Sequence, residues 1–401
     1  MDATVIEQLV LLIVVGAVVA IAAHRLRIPY TIGLVVAGIV MAFLPLRIEV
    51  PFSKDFLFEV LLPPLIFEAA LYIDWRELRR DLLLVGTYAT VGVILSAAIT
   101  AAIMHFVVGW IWPAAIVFGV LIAATDPVSI IATFKEAKVT SRLRMLVESE
   151  SLFNDSTAAV GFTLAVAFAV GESLGFGSAV WQLLSSAVGG VITGAVVAVI
   201  ALLIIGRTKD HLVELAMTTF AAFGSFWAAE NFHFSGILSC TAAGLIIGNR
   251  IGRGSITERG EESMEHFWEF AAFVANSIIF IILGINLAYQ EFGQFAFAVA
   301  VAIFAVVAGR AAAVYPLSAI FARSKWAVRL PHQHTLFWGG LRGALALALA
   351  LGVPETLPYR QEILIVTFGV VAFSVFVQTS SITPLMRYIG ELPKKNADMQ
   401  N

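Results

Sequence analysis

The chain has 401 residues, of which 60% are hydrophobic and only 13% carry a charge, and its mean hydropathy is +0.92. Because a water-soluble globular domain carries roughly 25% charged residues, this composition excludes that class and predicts an integral membrane protein. The formal net charge of −3 gives no support to nucleic-acid binding, and the single Cys240 excludes an intramolecular disulfide. The N-terminus MDATVIEQL is acidic where a signal peptide would be basic, so we expect the first hydrophobic stretch to be retained.

Hydrophobic runs divide the chain into candidate transmembrane helices. A helix needs about 20 apolar residues to cross the hydrocarbon core, or fewer where protein shields it. The sequence therefore predicts an all-α polytopic membrane protein with about 13 transmembrane helices. The candidate spans lie near 4–23, 29–45, 56–73, 82–108, 112–134, 145–171, 178–205, 212–230, 235–248, 266–288, 293–321, 335–352 and 361–386.

The basic residues support this count and set an orientation. With the N-terminus outside, most of the 25 lysines and arginines fall in inward-facing segments. The outward-facing segments hold only Arg47, Lys54 and Arg360. This asymmetry follows the positive-inside rule and predicts an outside N-terminus and a cytoplasmic C-terminus.

An offset of seven spans would relate spans 1–6 to spans 8–13 with opposite direction, as an inverted-topology repeat requires. Span 5 is interrupted by Asp126 and Pro127, and its proposed mate, span 12, is rich in glycine. Paired interruptions at corresponding positions point to a binding site at the bilayer midplane. We therefore predict an inverted repeat with a broken-helix pair, spans 5 and 12. The glycines of span 12 are Gly339, Gly340 and Gly343, which surround Arg342.

The interruption of span 5 carries polar groups. Pro127 has no N–H, so the carbonyl of Ala123 loses its helical partner, and Asp126 is pushed out of helical geometry. A simple proline kink is the alternative. Thr125 and Asp126, however, place a hydroxyl and a carboxyl at the same kink. An acid within a membrane costs about 2.5–3.5 kcal/mol even on the gentlest scales, so it is by default a candidate for ion or proton handling.

The next span carries a second acidic cluster. Glu150, Ser151, Asn154 and Asp155 occupy positions i, i+1, i+4 and i+5, which an α-helix gathers into one polar stripe. Hard cations prefer such oxygen ligands, and the set suits a partly dehydrated alkali ion better than a soft metal. A solvated helix start beside Glu148 is the alternative, but a long apolar run follows Asp155.

Desolvation favours the protonated form of a carboxyl group, and nearby cations favour the ionised form. A proton and a metal ion would therefore compete for such a group. One site that releases one ion to bind the other, exposed alternately to each side, performs exchange without any further energy source.

Two arginines fall inside predicted spans and need acidic partners. Arg310 lies in span 11 and Arg342 in span 12, and the candidate partners are Glu150 and Glu68 of span 3. The sequence leaves open which arginine pairs with which acid. For Glu68 and Arg342 we favour a structural role.

At these residues the chain resembles the monovalent cation/proton antiporters of the NhaP and sodium/proton exchanger type. The likeness covers essentially the whole chain and rests on five motifs in family order: LLPPLIFEA, TDPV, ESLFND, GRAAAVY and GGLRGALALAL. It implies that Asp155 binds Na⁺ or Li⁺ and H⁺ in turn, with Thr125, Ser151, Glu150 and Asn154 as ligands or ligand organisers. It also implies that Asp126 is a water-linked or structural neighbour, that Arg310 pairs with Glu150, and that Glu68 pairs with Arg342.

The resemblance further implies a homodimer that works by elevator-like alternating access. The mobile ion-transport bundle would comprise residues 82–171 and 293–386, and the scaffold with the dimer contact residues 1–81 and 178–290. Gly190 and Gly194 form a GxxxG in span 7, which is only weak support for a dimer contact. The Asn154–Asp155 pair resembles the branch that exchanges one ion for one proton. The short segment after span 13 leads us to expect no soluble regulatory domain and a prokaryotic inner membrane. We also expect no cofactor besides the substrate ions.

Other classes find less support. A channel could share the composition, but the sequence has no TVGYG filter motif. GxGD, HExxH and Walker A motifs are also absent, so protease and ATP-driven functions are unsupported and no enzyme activity is expected. The nearest alternatives are a K⁺/H⁺ antiporter and an electrogenic Na⁺/H⁺ antiporter.

Overall fold

The computed structural model describes residues 3–26, 28–44, 53–126, 130, 131, 134, 141–171, 175–250 and 256–392. Within these residues the regular secondary structure is entirely helical, apart from one isolated antiparallel bridge between Asp126 and Leu341. The predicted all-α fold class is therefore confirmed.

The first half of the chain forms helices α1 to α6. Their bounds are Ala3–Leu26 for α1, Tyr30–Ala42 for α2, 56–71 for α3, Trp75–Val108 for α4, Trp112–Leu121 for α5 and Ser141–Ala169 for α6. Residues 130, 131 and 134 are helical as well.

The second half forms helices α7 to α14. Their bounds are Phe176–Ile205 for α7, His211–Asn231 for α8, Gly236–Gly248 for α9, Glu258–Ala288 for α10, Phe292–Ile320 for α11, Leu330–Trp338 for α12, Ala344–Leu351 for α13 and Arg360–Tyr388 for α14.

In the described part of the chain, eight helices are long and apolar enough to cross a membrane. Three shorter apolar helices, α2, α5 and α9, accompany them. All the candidate spans overlap helical residues, but the count of 13 stays a prediction, since several segments are shorter than a bilayer is thick.

Two helices begin well before the hydrophobic runs that predicted them. Helix α4 starts at Trp75 rather than near 82, because the side chain of Asp74 accepts a hydrogen bond from the Arg76 N–H. Helix α10 starts at Glu258 rather than near 266, where Thr257 caps the Gly260 N–H. Side-chain caps start these helices in polar sequence, which a hydropathy reading passes over.

Helix packing follows the offset of seven spans. Helix α2 packs against α10, and α9 packs against α3. These four helices overlap predicted spans 2, 3, 9 and 10, in that numerical order. An offset of seven relates span 2 to span 9 and span 3 to span 10. The contact of α2 with α10 and the contact of α9 with α3 are therefore two copies of one contact. This correspondence supports the predicted inverted repeat.

Glycines allow the closest of these contacts. A Cβ on Gly38 of α2 would lie 2.1 Å from the Ile281 carbonyl oxygen, and one on Gly284 of α10 would lie 2.1 Å from the Val35 carbonyl oxygen. The GxxxG of α7 is used in the same way within the chain, since a Cβ on Gly194 would lie 2.0 Å from the Ser239 carbonyl oxygen of α9. That motif therefore gives no support for a dimer contact.

We expect Gly284→Leu to destabilise the fold, because the new side chain would collide with the backbone of α2. Overpacking of this kind typically costs about 1–3 kcal/mol. Thermal unfolding in detergent should show a lower midpoint than for Gly86→Leu, a control in α4 where a Cβ meets nothing within 4 Å. Equal midpoints for the two variants would contradict the close α2–α10 contact.

Candidate functional site: an acidic centre at two crossed helix breaks

Two helix interruptions meet in the interior. Helix α5 ends at Leu121, and the span predicted as 335–352 is two helices, α12 and α13, separated by residues 339–343. The two interruptions join where the Asp126 N–H donates to the Leu341 carbonyl oxygen at 2.8 Å. Pro127, predicted to cause the first break, lies outside the described residues. The helix nevertheless ends earlier than that proline requires, before Ala123.

The glycines of the second break are places of close approach. A Cβ on Gly343 would lie 2.0 Å from Oδ2 of Asp126, and one on Gly340 would lie 2.6 Å from Nε of Arg310. A Cβ on Gly339 would lie 2.5 Å from the Ile130 side chain. The break thus lets backbone approach ionisable side chains directly.

Helix α6 presents its polar stripe to this crossing. Glu150, Ser151 and Asn154 are buried, and the Ser151 hydroxyl lies 3.1 Å from the Thr125 hydroxyl at the end of α5. Asn154 donates from Nδ2 to Oε1 of Glu150 at 3.2 Å. The predicted stripe and the predicted break therefore form one polar cluster.

Asp155 is the member of the stripe that reaches a cavity. Its Oδ1 atom is buried and has no hydrogen-bond partner among the described residues. The backbone of Thr125 and the charge of Asp126 both interact with its carboxyl group. A buried carboxyl oxygen without a donor fits a site for a proton or a small cation.

The buried Glu150 forms a two-point salt bridge with Arg310 of α11. Nη1 and Nη2 donate to the two carboxylate oxygens at 2.7 and 2.9 Å. Arg310 also donates from Nη2 to the Leu336 carbonyl oxygen at 2.8 Å, near the C-terminal end of α12. One guanidinium group thus pairs the buried acid and satisfies a helix-end carbonyl.

Arg342 supports the other break. The side chain is buried, and Nη1 donates to the Ala124 carbonyl oxygen at 2.9 Å. The sequence predicted a freed carbonyl at Ala123, whereas the carbonyl that Arg342 holds is that of the next residue. Glu68 lies in α3 and lines the cavity that Asp155 reaches. The pairing of Glu68 with Arg342 stays a prediction.

The cavity beside Asp155 has a volume of about 330 Å³. One wall comes from α2, α3 and α10, and the opposite wall comes from the two breaks, α6 and α13. Its lining is mostly apolar but includes five carboxyl groups: Glu68, Asp126, Glu148, Asp155 and Glu269. Such a lining favours cations over anions.

Sequence reasoning missed part of this lining. Glu148, interpreted as part of a solvated helix start, lines the cavity and forms a 2.7 Å salt bridge with Arg144. Glu269 and Asn276 of α10 also line it and were not singled out. Glu262, Glu265 and Glu269 recur at helical spacing, a signal that could have indicated an acidic face on α10.

The described residues contain no cluster of three or more His, Cys, Asp or Glu side chains able to hold a metal ion. The groups around Asp155 are instead hydroxyl, amide, carboxyl and backbone oxygens, which suit a weakly held alkali ion. An all-helical membrane protein with an acidic centre at paired broken helices has the architecture of a secondary transporter.

Comparisons with known proteins identify the family. The model of the family "Sodium/hydrogen exchanger, transmembrane" matches residues 10–388, and the chain belongs to this family.

Relatives and solved structures agree with this assignment. The chain is 34% identical over 391 residues to the Na⁺/H⁺ antiporter ApNhaP of Aphanothece halophytica, covering 96% of this chain and 75% of that relative. It is 30% identical over 338 residues to the Na⁺/H⁺ antiporter NhaH of Halobacillus aidingensis, covering 82% of each. The structure of the sodium proton antiporter MjNhaP1 from Methanocaldococcus jannaschii at pH 8 matches with a TM-score of 0.77 at 21% identity, covering 96% of this chain and 99% of that one. This likeness shows the fold.

We expect Arg310→Ala to destabilise the protein by about 3–5 kcal/mol, because it leaves Glu150 as a buried, unpaired charge. The double variant Arg310→Ala/Glu150→Ala should recover part of that loss, though the Leu336 carbonyl stays unsatisfied. Thermal unfolding in detergent measures the stability of the single and the double variant. The control is Arg207→Ala, which changes an exposed arginine. A double variant as unstable as Arg310→Ala would argue against coupling between the two charges.

Proposed function

We propose that this protein is a secondary-active antiporter that exchanges Na⁺ for H⁺ across a membrane. Its membership of the sodium/hydrogen exchanger family and the names of its relatives support this function. The observation that carries it is the Asp155 carboxyl group, whose buried Oδ1 lacks a donor among the described residues beside a cavity lined with carboxyl groups.

In this proposal Asp155 binds the cation and the proton in turn. The hydroxyl oxygens of Thr125 and Ser151, which lie 3.1 Å apart, contribute further ligands. Glu150 was predicted as a possible ligand, but both of its carboxylate oxygens accept hydrogen bonds from Arg310. We therefore assign Glu150 and Asn154 to organising the site, and Asp126 to holding the two breaks together.

Competition at one carboxyl group accounts for obligatory exchange. With either H⁺ or Na⁺ bound, Asp155 carries the same neutral total charge, and the Glu150–Arg310 pair contributes none. If the site moves only with an ion or a proton bound, the charge that it carries across the membrane is the same in both directions. We accordingly propose electroneutral exchange of one ion for one proton.

Two cavities on opposite sides of Asp155 support alternating access. The cavity of about 330 Å³ runs from Asp155 toward Glu148, on the side predicted to be cytoplasmic. A second cavity of about 790 Å³ begins at Ala159 of α6 and includes Lys54 and Glu230. Asp155 and Ala159 are one helical turn apart, or about 6 Å along the axis. The lining of the second cavity therefore begins one helical turn along α6 from the site.

Both cavities lie between the proposed bundle and the proposed scaffold. In each cavity, one wall belongs to residues 82–171 and 293–386, and the other to residues 1–81 and 178–290. Relative movement of the two parts would open one cavity and close the other. This supports the elevator-like mechanism, with one adjustment: α4 is continuous from Trp75, so the bundle begins there.

We further propose a homodimer in a prokaryotic inner membrane, with the N-terminus outside. Exposed apolar side chains along α7, such as Trp181 at 72% and Leu203 at 59%, suit a surface covered by lipid or by a second copy. The relatives named above from Aphanothece and Halobacillus support the assignment to a prokaryote.

Asp155→Asn should abolish Na⁺-driven proton movement, because an amide cannot exchange a proton for a cation at neutral pH. The assay is a pH-sensitive dye inside sealed vesicles that contain the purified protein. Glu355→Gln, which changes an exposed acid, should leave the rate unchanged. Rapid exchange by folded Asp155→Asn would remove this residue from the centre of the mechanism.

The apparent affinity for Na⁺ should depend on pH if proton and cation share one carboxyl group. Below the pKa of that group, each unit of lower pH should raise the half-saturating Na⁺ concentration about tenfold, because the proton occupies the site. Initial rates over a pH series, with Na⁺, Li⁺ and K⁺ tested separately, measure this dependence and the ion preference. A half-saturating concentration that stays constant across the whole pH series would indicate separate sites.

Electroneutral exchange should not respond to membrane voltage. We expect equal rates in vesicles clamped with K⁺ and valinomycin at zero and at negative potential. A rate that changes with voltage would favour an electrogenic antiporter, and current without counter-movement of protons would favour a channel.

A further inference from the structure

Five exposed basic side chains lie at one end of the molecule, although they come from distant parts of the chain. Two belong to the second turn of α4, and three belong to the segment between α11 and α12. We call this set the basic cluster. Its members are Arg79, Arg80, Arg323, Lys325 and Arg329.

The basic cluster is held in place by contacts that involve none of its charges. The indole N–H of Trp326 donates to the Arg80 carbonyl oxygen at 2.7 Å, which ties the segment to α4. Arg142 of α6 donates to the Ala327 carbonyl oxygen at 3.2 Å. The two sources of positive charge are therefore fixed beside each other before any ligand binds.

Nearby acidic groups in the described part of the chain form no ion pair with the basic cluster. Asp81 is adjacent in sequence, but Arg142 engages both of its carboxylate oxygens, at 2.8 and 3.0 Å. Glu77 precedes Arg80 by three positions on α4. In the described part of the chain, no ion pair joins Glu77 or any other acid to a member of the cluster.

The basic cluster lies at a boundary between exposed apolar and exposed charged surface. Leu83 of α4 is 54% exposed and Ile320 of α11 is 73% exposed, so both suit contact with lipid chains. Arg80, three residues before Leu83 on α4, and Arg323, three residues beyond the last residue of α11, are exposed and basic. Trp326, which donates to the Arg80 carbonyl, has the Lys325 ammonium 4.7 Å from its ring centroid. This succession is typical of the membrane–water interface, where phospholipid phosphates lie.

We propose that the basic cluster binds the phosphate groups of anionic phospholipids. Guanidinium groups bind phosphate oxygens with two parallel hydrogen bonds, and an anionic leaflet attracts basic side chains near its surface. General positive-inside bias explains why basic residues lie on this side of the membrane. It does not explain why fixed backbone contacts bring together five cations from two segments, none of which has an ion-pair partner among the described residues.

The test compares a cluster variant with a matched variant elsewhere on the same predicted side. Arg323→Gln/Lys325→Gln/Arg329→Gln removes three members of the cluster. Arg207→Gln/Lys209→Gln removes two exposed cations between α7 and α8. Each full-length protein is unfolded thermally in detergent with increasing phosphatidylglycerol, with phosphatidylcholine, or with inorganic phosphate. Ionic strength is varied with choline chloride, so that no transported cation is added.

We expect phosphatidylglycerol to stabilise the unaltered protein and the Arg207/Lys209 variant, with little effect of phosphatidylcholine or free phosphate. For the cluster variant, the concentration giving half of the stabilisation should rise on the order of 100-fold, since each cation near an anionic surface contributes about fivefold. Added choline chloride should weaken the effect in the unaltered protein.

An unchanged response of the cluster variant to phosphatidylglycerol would overturn the proposal. So would an equal response to inorganic phosphate, which would indicate a site for a soluble anion. If the glutamine variant does not fold, Arg323→Lys/Arg329→Lys keeps the charge but loses the two-point hydrogen bonding. A phosphatidylglycerol affinity reduced in that variant supports the proposal, and an unchanged affinity contradicts it.

Discussion

The structure depends on satisfying the backbone of two helices that are interrupted in the interior of the protein. A helix that stops inside a protein leaves carbonyl and N–H groups without partners, and each costs free energy unless another group bonds to it. Arg310 donates to the Leu336 carbonyl, Arg342 donates to the Ala124 carbonyl, and Asp126 joins the two breaks through its N–H. The two arginines thus lie in the interior as hydrogen-bond donors to backbone carbonyl groups.

Those cations in turn give different roles to two acids on the same helix. Glu150 faces Arg310 and is held by it at both oxygens. Asp155, five residues further along α6, faces the cavity, and its Oδ1 has no donor among the described residues. A carboxyl group that is paired at both oxygens resists exchange of its partner, whereas one with a buried oxygen that lacks a donor can exchange a proton for a cation. The proposed division between an organising acid and an ion-binding acid follows from this difference.

The meeting point of the two helix breaks also determines where movement of the proposed bundle would open or close access to the site. The polar cluster lies on one side of the boundary between the proposed bundle and scaffold, and the two cavities lie at that boundary. Glycine contacts such as Gly38 with α10 hold helices of the proposed scaffold close together. In contrast, the boundary itself contains empty volume on both sides of Asp155. Close packing within each part, with space between them, is what a displacement of one part against the other requires.

Residues close together in the sequence predicted a large part of the fold and of the candidate site. Apolar runs indicated an all-helical membrane protein, Asp126 and the glycines of span 12 indicated the paired breaks, and spacing placed Glu150 and Asp155 on one face of α6. These features depend on residues close together in the chain. The residues left the partner of Arg310 open and the family resemblance implied Glu150, 160 positions away, which is the pair in the tertiary structure. Only the tertiary structure showed that Arg342 holds a carbonyl 218 positions away. It also brought Glu148 and Glu269 to the cavity and used the GxxxG of α7 within the chain, because partners distant in sequence are chosen by packing, which a single sequence does not display.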